Sequence, residues 1–210
     1  MSRRRPWKQQ RAAGFAPRRW LLAEAASLRP AVFLDRDGTI AEEVGYLNHI
    51  SRFRMFPFAA QAIRQLNHAK LPVIVITNQS GVARGYFPES LVSAVHDLMT
   101  AQLAKDGAHV DALYYCPHKG DDACACRKPK PGMLEQAAHE HGLDLRRSFV
   151  VGDRYGDIEL AHRVGARAIL VRTGYGAGEI QWHSANWPVP PDFIAADLAA
   201  ATEWIVRQPK

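Results

Sequence analysis

Short apolar runs alternate with amphipathic stretches along most of this chain. Five runs have the length and composition of buried strands: 31–34, 71–76, 110–115, 148–151 and 167–171. Apolar spacing predicts helices over 57–69, 88–105, 131–141, 156–164 and 192–207. This alternation predicts an α/β fold in which a parallel sheet is covered by helices on both faces.

The segments between these elements are mostly short. Asp192 is the predicted N-cap of the last helix, because its side chain can accept a backbone hydrogen bond. Two longer stretches, 40–56 and 174–191, are rich in aromatic, glycine and proline residues and are predicted to be loops. Loops of that length in a compact domain often serve function.

Length and charge indicate one folded domain with a basic extension. The 210 residues carry a formal net charge of +6, but residues 1–29 contain eight Lys and Arg and one Glu. That segment therefore carries +7, and residues 30–210, the predicted domain, carry −1. We expect a solvated, partly disordered extension; the alternative is an arm that binds nucleic acid, although the segment has no nucleic-acid motif.

Composition excludes several protein classes. No apolar run approaches the ~20 residues of a membrane span, and Leu21-Leu22 is followed at once by Ala23-Glu24, which leaves no apolar core for a signal peptide. The three cysteines are confined to one loop, which does not resemble a disulfide framework and suits a reducing compartment. We expect a cytoplasmic monomer with no membrane partner.

Two carboxylates follow the first predicted strand. Asp35 and Asp37 lie two residues apart, so on an extended chain they project to one side, and Gly38 permits a sharp turn after them. Such a pair repels itself unless a cation lies between or one group holds a proton, and Mg²⁺ is the simple answer. Alone, the motif is equally compatible with a capping turn.

A compact group of soft metal ligands follows the third predicted strand. Two pairs of donors, each spaced i, i+2, face each other across five residues, as suits a closed tetrahedral Zn²⁺ site. A redox pair with an unrelated histidine is the alternative. Two cations, Arg127 and Lys128, come directly after the last donor. The four donors are Cys116, His118, Cys124 and Cys126.

The ends of the second and fourth predicted strands add further groups that are suited to phosphate binding and transfer. The second strand ends in Thr77-Asn-Gln-Ser-Gly81, a hydroxyl and backbone amides in a glycine-closed turn. The fourth ends in Gly152-Asp-Arg-Tyr-Gly-Asp157. Because the carboxyl ends of parallel strands share one edge, these groups predict a phosphoryl-transfer site.

The motifs DRDGT, TNQSG, RKPKPG and GDRYGD, in this order, resemble the four motifs of haloacid dehalogenase-like (HAD-like) phosphohydrolases. The CPH…CACRKPKPGM loop and the TNQSGVARGYF run are similar to those of the branch containing heptose bisphosphate phosphatases and histidinol phosphatases. The similarity spans about residues 31–207. It implies a Rossmann-like fold without a large cap domain, with a small zinc-binding loop beside the active site.

The resemblance also implies roles for individual residues. Asp35 would be the nucleophile that forms an aspartyl-phosphate, and Asp37 the general acid and base. Mg²⁺ would be held by Asp35, the main-chain carbonyl of Asp37, and Asp153, with Asp157 supporting the metal indirectly. The residues implied to contact substrate or stabilise its phosphoryl charge are Thr77, Asn78, Gln79, Arg127 and Lys128.

The activity implied by the resemblance is Mg²⁺-dependent removal of the 7-phosphate from D-glycero-D-manno-heptose 1,7-bisphosphate, in bacterial heptose-nucleotide synthesis of the lipopolysaccharide type. Arg127 would meet the second phosphate, and Zn²⁺ would be structural. Two alternatives remain: a histidinol-phosphate phosphatase, and a nucleic-acid-end phosphatase that uses the basic arm. We expect a small phosphorylated sugar as substrate and no nucleic-acid partner.

Overall fold

The computed structural model describes residues 9–10 and 28–209. A seven-stranded sheet has the order β1-β4-β3-β2-β5-β6-β7. Every neighbouring pair from β4 to β7 in that order is parallel, whereas β1 pairs antiparallel with β4. The strands are β1 (Gln9–Gln10), β2 (Val32–Leu34), β3 (Val73–Asn78), β4 (Ala112–Cys116), β5 (Phe149–Gly152), β6 (Arg167–Val171) and β7 (Phe193–Ala195).

Helices cover both faces of the sheet, as the alternating pattern predicts. Val32 and Leu34 pack on one face against the helices 59–68, 89–105 and 198–206, while Phe33 points to the other face, against the helices 132–141 and 155–164. This period of two makes each central strand fully apolar in sequence. The helices are α1 (Ala59–His68), α2 (Glu89–Lys105), α3 (Gly132–His141), α4 (Tyr155–Val164), α5 (Gly176–His183) and α6 (Leu198–Val206).

The predicted loop 174–191 is in part helical, which corrects the sequence expectation. Residues Gly176–His183 form α5, and Ser184–Asn186 form a 3-10 turn. Gly176 and Gly178 in the first turn lower the intrinsic helix propensity, so the sequence pattern does not indicate a helix here. One of them is required by packing, since a Cβ on Gly176 would lie 1.7 Å from the carbonyl oxygen of Val171.

The predicted last helix is also wrong at its start. Phe193–Ala195 is the edge strand β7, and α6 begins only after Asp197, whose Oδ1 accepts from the backbone N–H of Ala200 at 2.9 Å. Asp192 is therefore not the cap; its Oδ2 accepts from the N–H of Ala168 at 2.7 Å. The three residues of β7 form too short an apolar run to distinguish a strand from a helix in the sequence.

The N-terminal extension predicted over residues 1–29 lies outside the described residues, except for Gln9–Gln10 and the last two positions. There the carbonyl of Leu28 accepts from the Arg147 guanidinium, and Arg29 pairs with Leu143. The division between extension and domain stays a prediction. None of the helices in the described part of the chain combines the length and apolarity that a membrane-spanning helix needs.

Candidate active site

The carboxyl ends of β2 to β5 surround a cavity of about 530 Å³. Strand β2 lies between β3 and β5, so the residues that follow it stand at the centre of the site. Within the described residues, no connection is long enough to build a large cap over the cavity. The predicted site residues that line it are Asp35, Asp37, Thr77, Asn78, Gln79, Arg127, Lys128 and Asp157.

Asp35, Lys128 and Asp157 line this cavity, and the buried Asp153 is grouped with them. One oxygen each from Asp35, Asp153 and Asp157 lies within 4.8 Å of the others. The Nζ of Lys128 is 2.8 Å from Asp35 Oδ2 and 2.7 Å from Asp157 Oδ1, and it also donates to the carbonyl of Ile76 at 3.2 Å. Lys128 is only 8% exposed, so its charge acts in a site with little screening.

The acidic cluster carries more negative charge than Lys128 balances. Burial raises the pKa of Asp35 to about 7, against the opposing effect of Lys128. Burial and the charges of Asp35 and Asp157 raise the pKa of Asp153 to about 8. Burial alone would lower the pKa of Lys128, but Asp157 and Asp35 raise it above its usual value. The site therefore favours either a proton or a further cation.

Asp153 has one oxygen available for such a cation. Its Oδ2 accepts from the backbone N–H of Tyr175 at 2.8 Å, whereas its buried Oδ1 has no hydrogen-bond partner among the described residues. A Cβ on Gly38 or Gly174 would lie 2.0 or 2.1 Å from Asp153 Oδ2, so the chain approaches this carboxylate as closely as glycine allows. Clustered oxygen donors with an unpartnered oxygen fit a hard divalent cation such as Mg²⁺.

Asp37 lies beside this cluster and is held at both oxygens. Arg36 donates from Nε to Oδ1 at 3.0 Å and from Nη2 to Oδ2 at 2.7 Å. The Nε2 of Gln79 donates to Asp37 Oδ2 and to Thr77 Oγ1, both at 2.9 Å. The structure thus joins the predicted residues of β2 and β3 in one hydrogen-bonded group.

Two predicted substrate contacts are engaged with the protein itself. Asn78 accepts from the N–H of Lys128 at 3.2 Å and donates to its carbonyl at 3.3 Å, so it positions the lysine segment. The Nη1 of Arg127 donates to the carbonyl of His118 at 3.1 Å, which joins the guanidinium to the cysteine-histidine loop. Arg127 nevertheless lines the cavity.

The four soft ligands come together as the spacing predicts. One donor atom from each of Cys116, His118, Cys124 and Cys126 lies within 4.8 Å of the other three. Sγ of Cys116 is 3.1 Å from Sγ of Cys126 and 3.8 Å from Sγ of Cys124, and His118 Nδ1 is 3.3 Å from Cys126 Sγ. The hydrogen bond between Cys126 and Cys116 lowers the pKa of Cys126 to about 6. This donor set fits tetrahedral Zn²⁺.

Comparison with known proteins identifies the family. The family model described as HAD-hydrolase-like matches residues 125–201. D-glycero-D-manno-heptose-1,7-bisphosphate 7-phosphatase of Thermosynechococcus vestitus is 45% identical over 188 residues, which cover 84% of this chain and 95% of that protein. The chain belongs to the HAD-like hydrolases.

Further relatives agree with this assignment. D-glycero-beta-D-manno-heptose-1,7-bisphosphate 7-phosphatase of Pseudomonas aeruginosa is 38% identical, with 85% of this chain and 99% of that protein covered. A crystal structure of D,D-heptose 1,7-bisphosphate phosphatase from B. bronchiseptica, complexed with magnesium and phosphate, is 36% identical with a TM-score of 0.79. That match covers 86% of this chain and 99% of the other.

This HAD-like hydrolase has additional cavity residues that the sequence did not single out. The guanidinium carbon of Arg154 lies 3.7 Å from the centre of the Tyr175 ring, and both residues line the cavity together with Glu43 and Glu179. Arg154 lies between Asp153 and Asp157 of the GDRYGD motif, in which the two carboxylates are the predicted functional groups. Tyr175 is the N-cap of α5 and Glu179 lies in its first turn. The sequence pattern does not predict this helix, so it gives no sign that these two residues line the cavity.

Proposed function

We propose that this protein is a Mg²⁺-dependent phosphatase that removes the 7-phosphate of D-glycero-D-manno-heptose 1,7-bisphosphate. The observation that carries the proposal is the cluster of Asp35, Asp153 and Asp157 around Lys128. Asp35, Lys128 and Asp157 line one cavity together with Asp37. The similarity to phosphatases named for this substrate extends over most of the chain and supports the choice of substrate.

The nucleophile in this mechanism is Asp35. Its carboxylate attacks phosphorus, a P–O bond to the leaving alkoxide breaks, and an aspartyl-phosphate forms on Asp35. The ion pair with Lys128, 2.8 Å long, keeps Asp35 Oδ2 oriented and places a positive charge beside the phosphoryl oxygens. Water then hydrolyses the acyl phosphate and restores the carboxylate.

Asp37 transfers the protons. As the P–O bond breaks, its carboxyl group gives a proton to the leaving alkoxide oxygen, and in the second half it takes a proton from the attacking water. The contacts of Asp37 with Arg36 and Gln79 support this role, because they hold the carboxyl group on the side of the cavity next to Thr77.

Asp35, Asp153 and Asp157 are the side chains that would hold Mg²⁺ or lie directly beside it, with the carbonyl of Asp37 as a further ligand. The bound ion would supply charge neutralisation on the transferring phosphoryl group. Lys128 supplies the remaining positive charge, and Thr77 and Asn78 would bind phosphoryl oxygens once substrate is present. Asp157 is paired with Lys128 at 2.7 Å, which fits an indirect role for this carboxylate.

Zn²⁺ at the cysteine-histidine cluster is proposed to be structural. The hydrogen bond from Arg127 to the carbonyl of His118 supports this proposal, since it connects the cluster to a cavity-lining cation. The metal would thereby maintain the position of Arg127 and of the next residue in the chain, Lys128.

The second phosphate of a bisphosphate requires cations beyond Lys128. Arg127 and Arg154 both line the cavity, and their planar guanidinium groups suit bidentate contact with phosphate. This pair favours a sugar bisphosphate over histidinol phosphate, which has no second phosphate and carries a cationic amine and an imidazole ring. We also propose a cytoplasmic monomer, in line with a site that depends on reduced thiols.

The test is a side-by-side assay of the purified protein in Mg²⁺. Both anomers of D-glycero-D-manno-heptose 1,7-bisphosphate and histidinol phosphate are supplied separately, and kcat/KM is measured for each. We expect a heptose bisphosphate to have the highest kcat/KM. A higher kcat/KM for histidinol phosphate would replace the proposed substrate.

A further inference from the structure

Arg36 is buried between Asp37 and helix α2. It is only 1% exposed and is among the largest fully buried side chains of the described residues. Two of its nitrogens form a fork of hydrogen bonds to Asp37: Nε donates to Oδ1 at 3.0 Å and Nη2 to Oδ2 at 2.7 Å. The third guanidinium nitrogen, Nη1, points away from the carboxylate.

The hydrogen-bond partner of that third nitrogen is His96. His96 lies on α2, is 1% exposed, and its Nε2 is 3.3 Å from Arg36 Nη1. Because arginine has donors only, Nε2 must be the acceptor, which requires a neutral ring with its proton on Nδ1. Burial, assisted by the charge of Arg36, lowers the pKa of His96 well below its usual value and keeps the ring neutral.

The ring of His96 is itself held in place. It meets the ring of Tyr115 edge-on at a centroid distance of 5.8 Å, and the Tyr115 hydroxyl donates to Glu89 Oε1 at 2.7 Å. Tyr115 is on β4 and Glu89 is the first residue of α2. A continuous series of contacts thus runs from α2 and β4 through His96 and Arg36 to the carboxyl group of Asp37.

We propose that His96 is a positioning residue for proton transfer: it orients the Arg36 guanidinium, which orients Asp37 toward the leaving oxygen. The proposal rests on the proposed phosphatase reaction. In the step concerned, the P–O bond to the leaving group breaks while the Asp37 O–H proton moves to the leaving oxygen. Without an acceptor at position 96, Arg36 Nη1 would be buried without its partner and the fork would shift.

This role predicts a dependence on the leaving group. A sugar alkoxide is a poor leaving group and needs the proton of Asp37, whereas p-nitrophenolate leaves without protonation. For a double displacement, kcat/KM reports the steps up to release of the leaving group, so hydrolysis of the acyl phosphate does not enter. A residue that acts only through folding would change both substrates equally.

The experiment compares His96→Leu with the unmodified protein on the sugar bisphosphate and on p-nitrophenyl phosphate. We expect kcat/KM for the sugar phosphate to fall by roughly 10- to 100-fold, the scale of a misoriented catalytic group, and that for p-nitrophenyl phosphate to change far less. The ratio of the two values is taken on one sample, so the folded fraction cancels. His96→Gln, whose amide oxygen can accept, should recover most of the ratio, and Asp37→Asn should show the same selectivity as His96→Leu.

Arg36→Lys gives a second route if His96→Leu does not fold, because it keeps the charge and loses the fork. An equal loss on both substrates in every folded variant, or no loss on either, would overturn the positioning role. If the unmodified protein does not turn over heptose bisphosphate, the proposed substrate fails. The same ratio is then measured with an alkyl phosphate that the protein does hydrolyse, so the two failures are distinguishable.

Discussion

Lys128 and Asp35 form a buried ion pair in which Nζ lies 2.8 Å from Oδ2. Lys128 comes from the segment after the cysteine-histidine loop and Asp35 from the end of β2, so the pair joins the two parts of the proposed site. The same nitrogen reaches Asp157 at 2.7 Å. A single lysine therefore connects the proposed nucleophile, Asp35, to Asp157 of the carboxylate cluster.

Replacing Lys128 with methionine should lower kcat/KM by roughly 100- to 1000-fold, the range seen when one group that stabilises developing charge is removed. The physical reason is the loss of the positive charge beside the transferring phosphoryl group. The measurement is phosphate release in saturating Mg²⁺. Lys105→Met, which changes an exposed lysine at the end of α2, is the control and should keep the original kcat/KM. Substantial activity in Lys128→Met would remove this lysine from the mechanism.

Gly174 should control the metal site through Asp153. Gly174 has a φ of +56°, and an added Cβ would lie 2.1 Å from Asp153 Oδ2. Gly174→Ala should displace this carboxylate and weaken Mg²⁺ affinity by about 10- to 100-fold, the usual effect of disturbing the support of a ligand. Mg²⁺ affinity is measured from the dependence of activity on its concentration.

The matched control is Gly142→Ala at the end of α3. Gly142 has a φ of +62° and no atom within 4 Å of an added Cβ, so both variants bear a similar backbone strain of ~1–2 kcal/mol. Both should lose stability in denaturant, but only Gly174→Ala should need more Mg²⁺. Equal Mg²⁺ affinities in the two variants would contradict the proposed role of Asp153.

The stability gained from Mg²⁺ should increase with pH. Folding raises the pKa of Asp35 to about 7 and of Asp153 to about 8 from an ordinary value of 3.8. The metal-free folded state thus holds protons that the unfolded chain releases, and these two groups destabilise the fold as pH rises from about 4 to 8. Mg²⁺ needs both groups ionised, so it competes with these protons.

The measurement is the rise in Tm on adding Mg²⁺, at about pH 6 and about pH 8.5, two values on either side of these pKa values. The rise should be larger at the higher pH. An Asp153→Asn variant should show a small rise at both. A rise that is equal at the two pH values in the unmodified protein would contradict the metal assignment.

Removing Zn²⁺ should lower activity even in excess Mg²⁺. Loss of a metal from Cys116, His118, Cys124 and Cys126 would release the loop whose His118 carbonyl holds Arg127. The protein is treated with a mild chelator, its zinc content is measured, and activity is followed before and after zinc is restored. Full activity in zinc-free protein would show that the cluster does not support the catalytic site.

The grouping of many candidate site residues could be predicted from the sequence for a simple physical reason. Asp35 and Asp153 directly follow the buried strands β2 and β5, Thr77 lies next to the last residue of β3, and parallel strands end at one edge of the sheet. The spacing of the soft ligands after β4 likewise needs no tertiary information, since Cys116 and Cys126 are joined by a short loop. These parts of the candidate site can therefore be recognised from short stretches of the sequence alone.

The contacts that cross from one element to another could not be predicted. Arg36 and His96 are 60 residues apart, and only the packing of α2 on the sheet brings them together. Tyr175 reaches Arg154 because α5 forms after β6, in a stretch whose glycines conceal a helix. In both cases the partner is determined by tertiary packing, which neither periodicity nor motif spacing encodes locally.

The central claim is that Asp35 drives removal of one particular phosphate from a heptose bisphosphate, and phosphorus NMR of the reaction tests it most directly. With D-glycero-D-manno-heptose 1,7-bisphosphate and Mg²⁺, the signal of the phosphate on carbon 7 should disappear as inorganic phosphate appears, while the phosphate on carbon 1 remains. Asp35→Asn should leave both signals unchanged while retaining its fold by circular dichroism. Loss of the phosphate on carbon 1, or turnover by Asp35→Asn, would contradict the account.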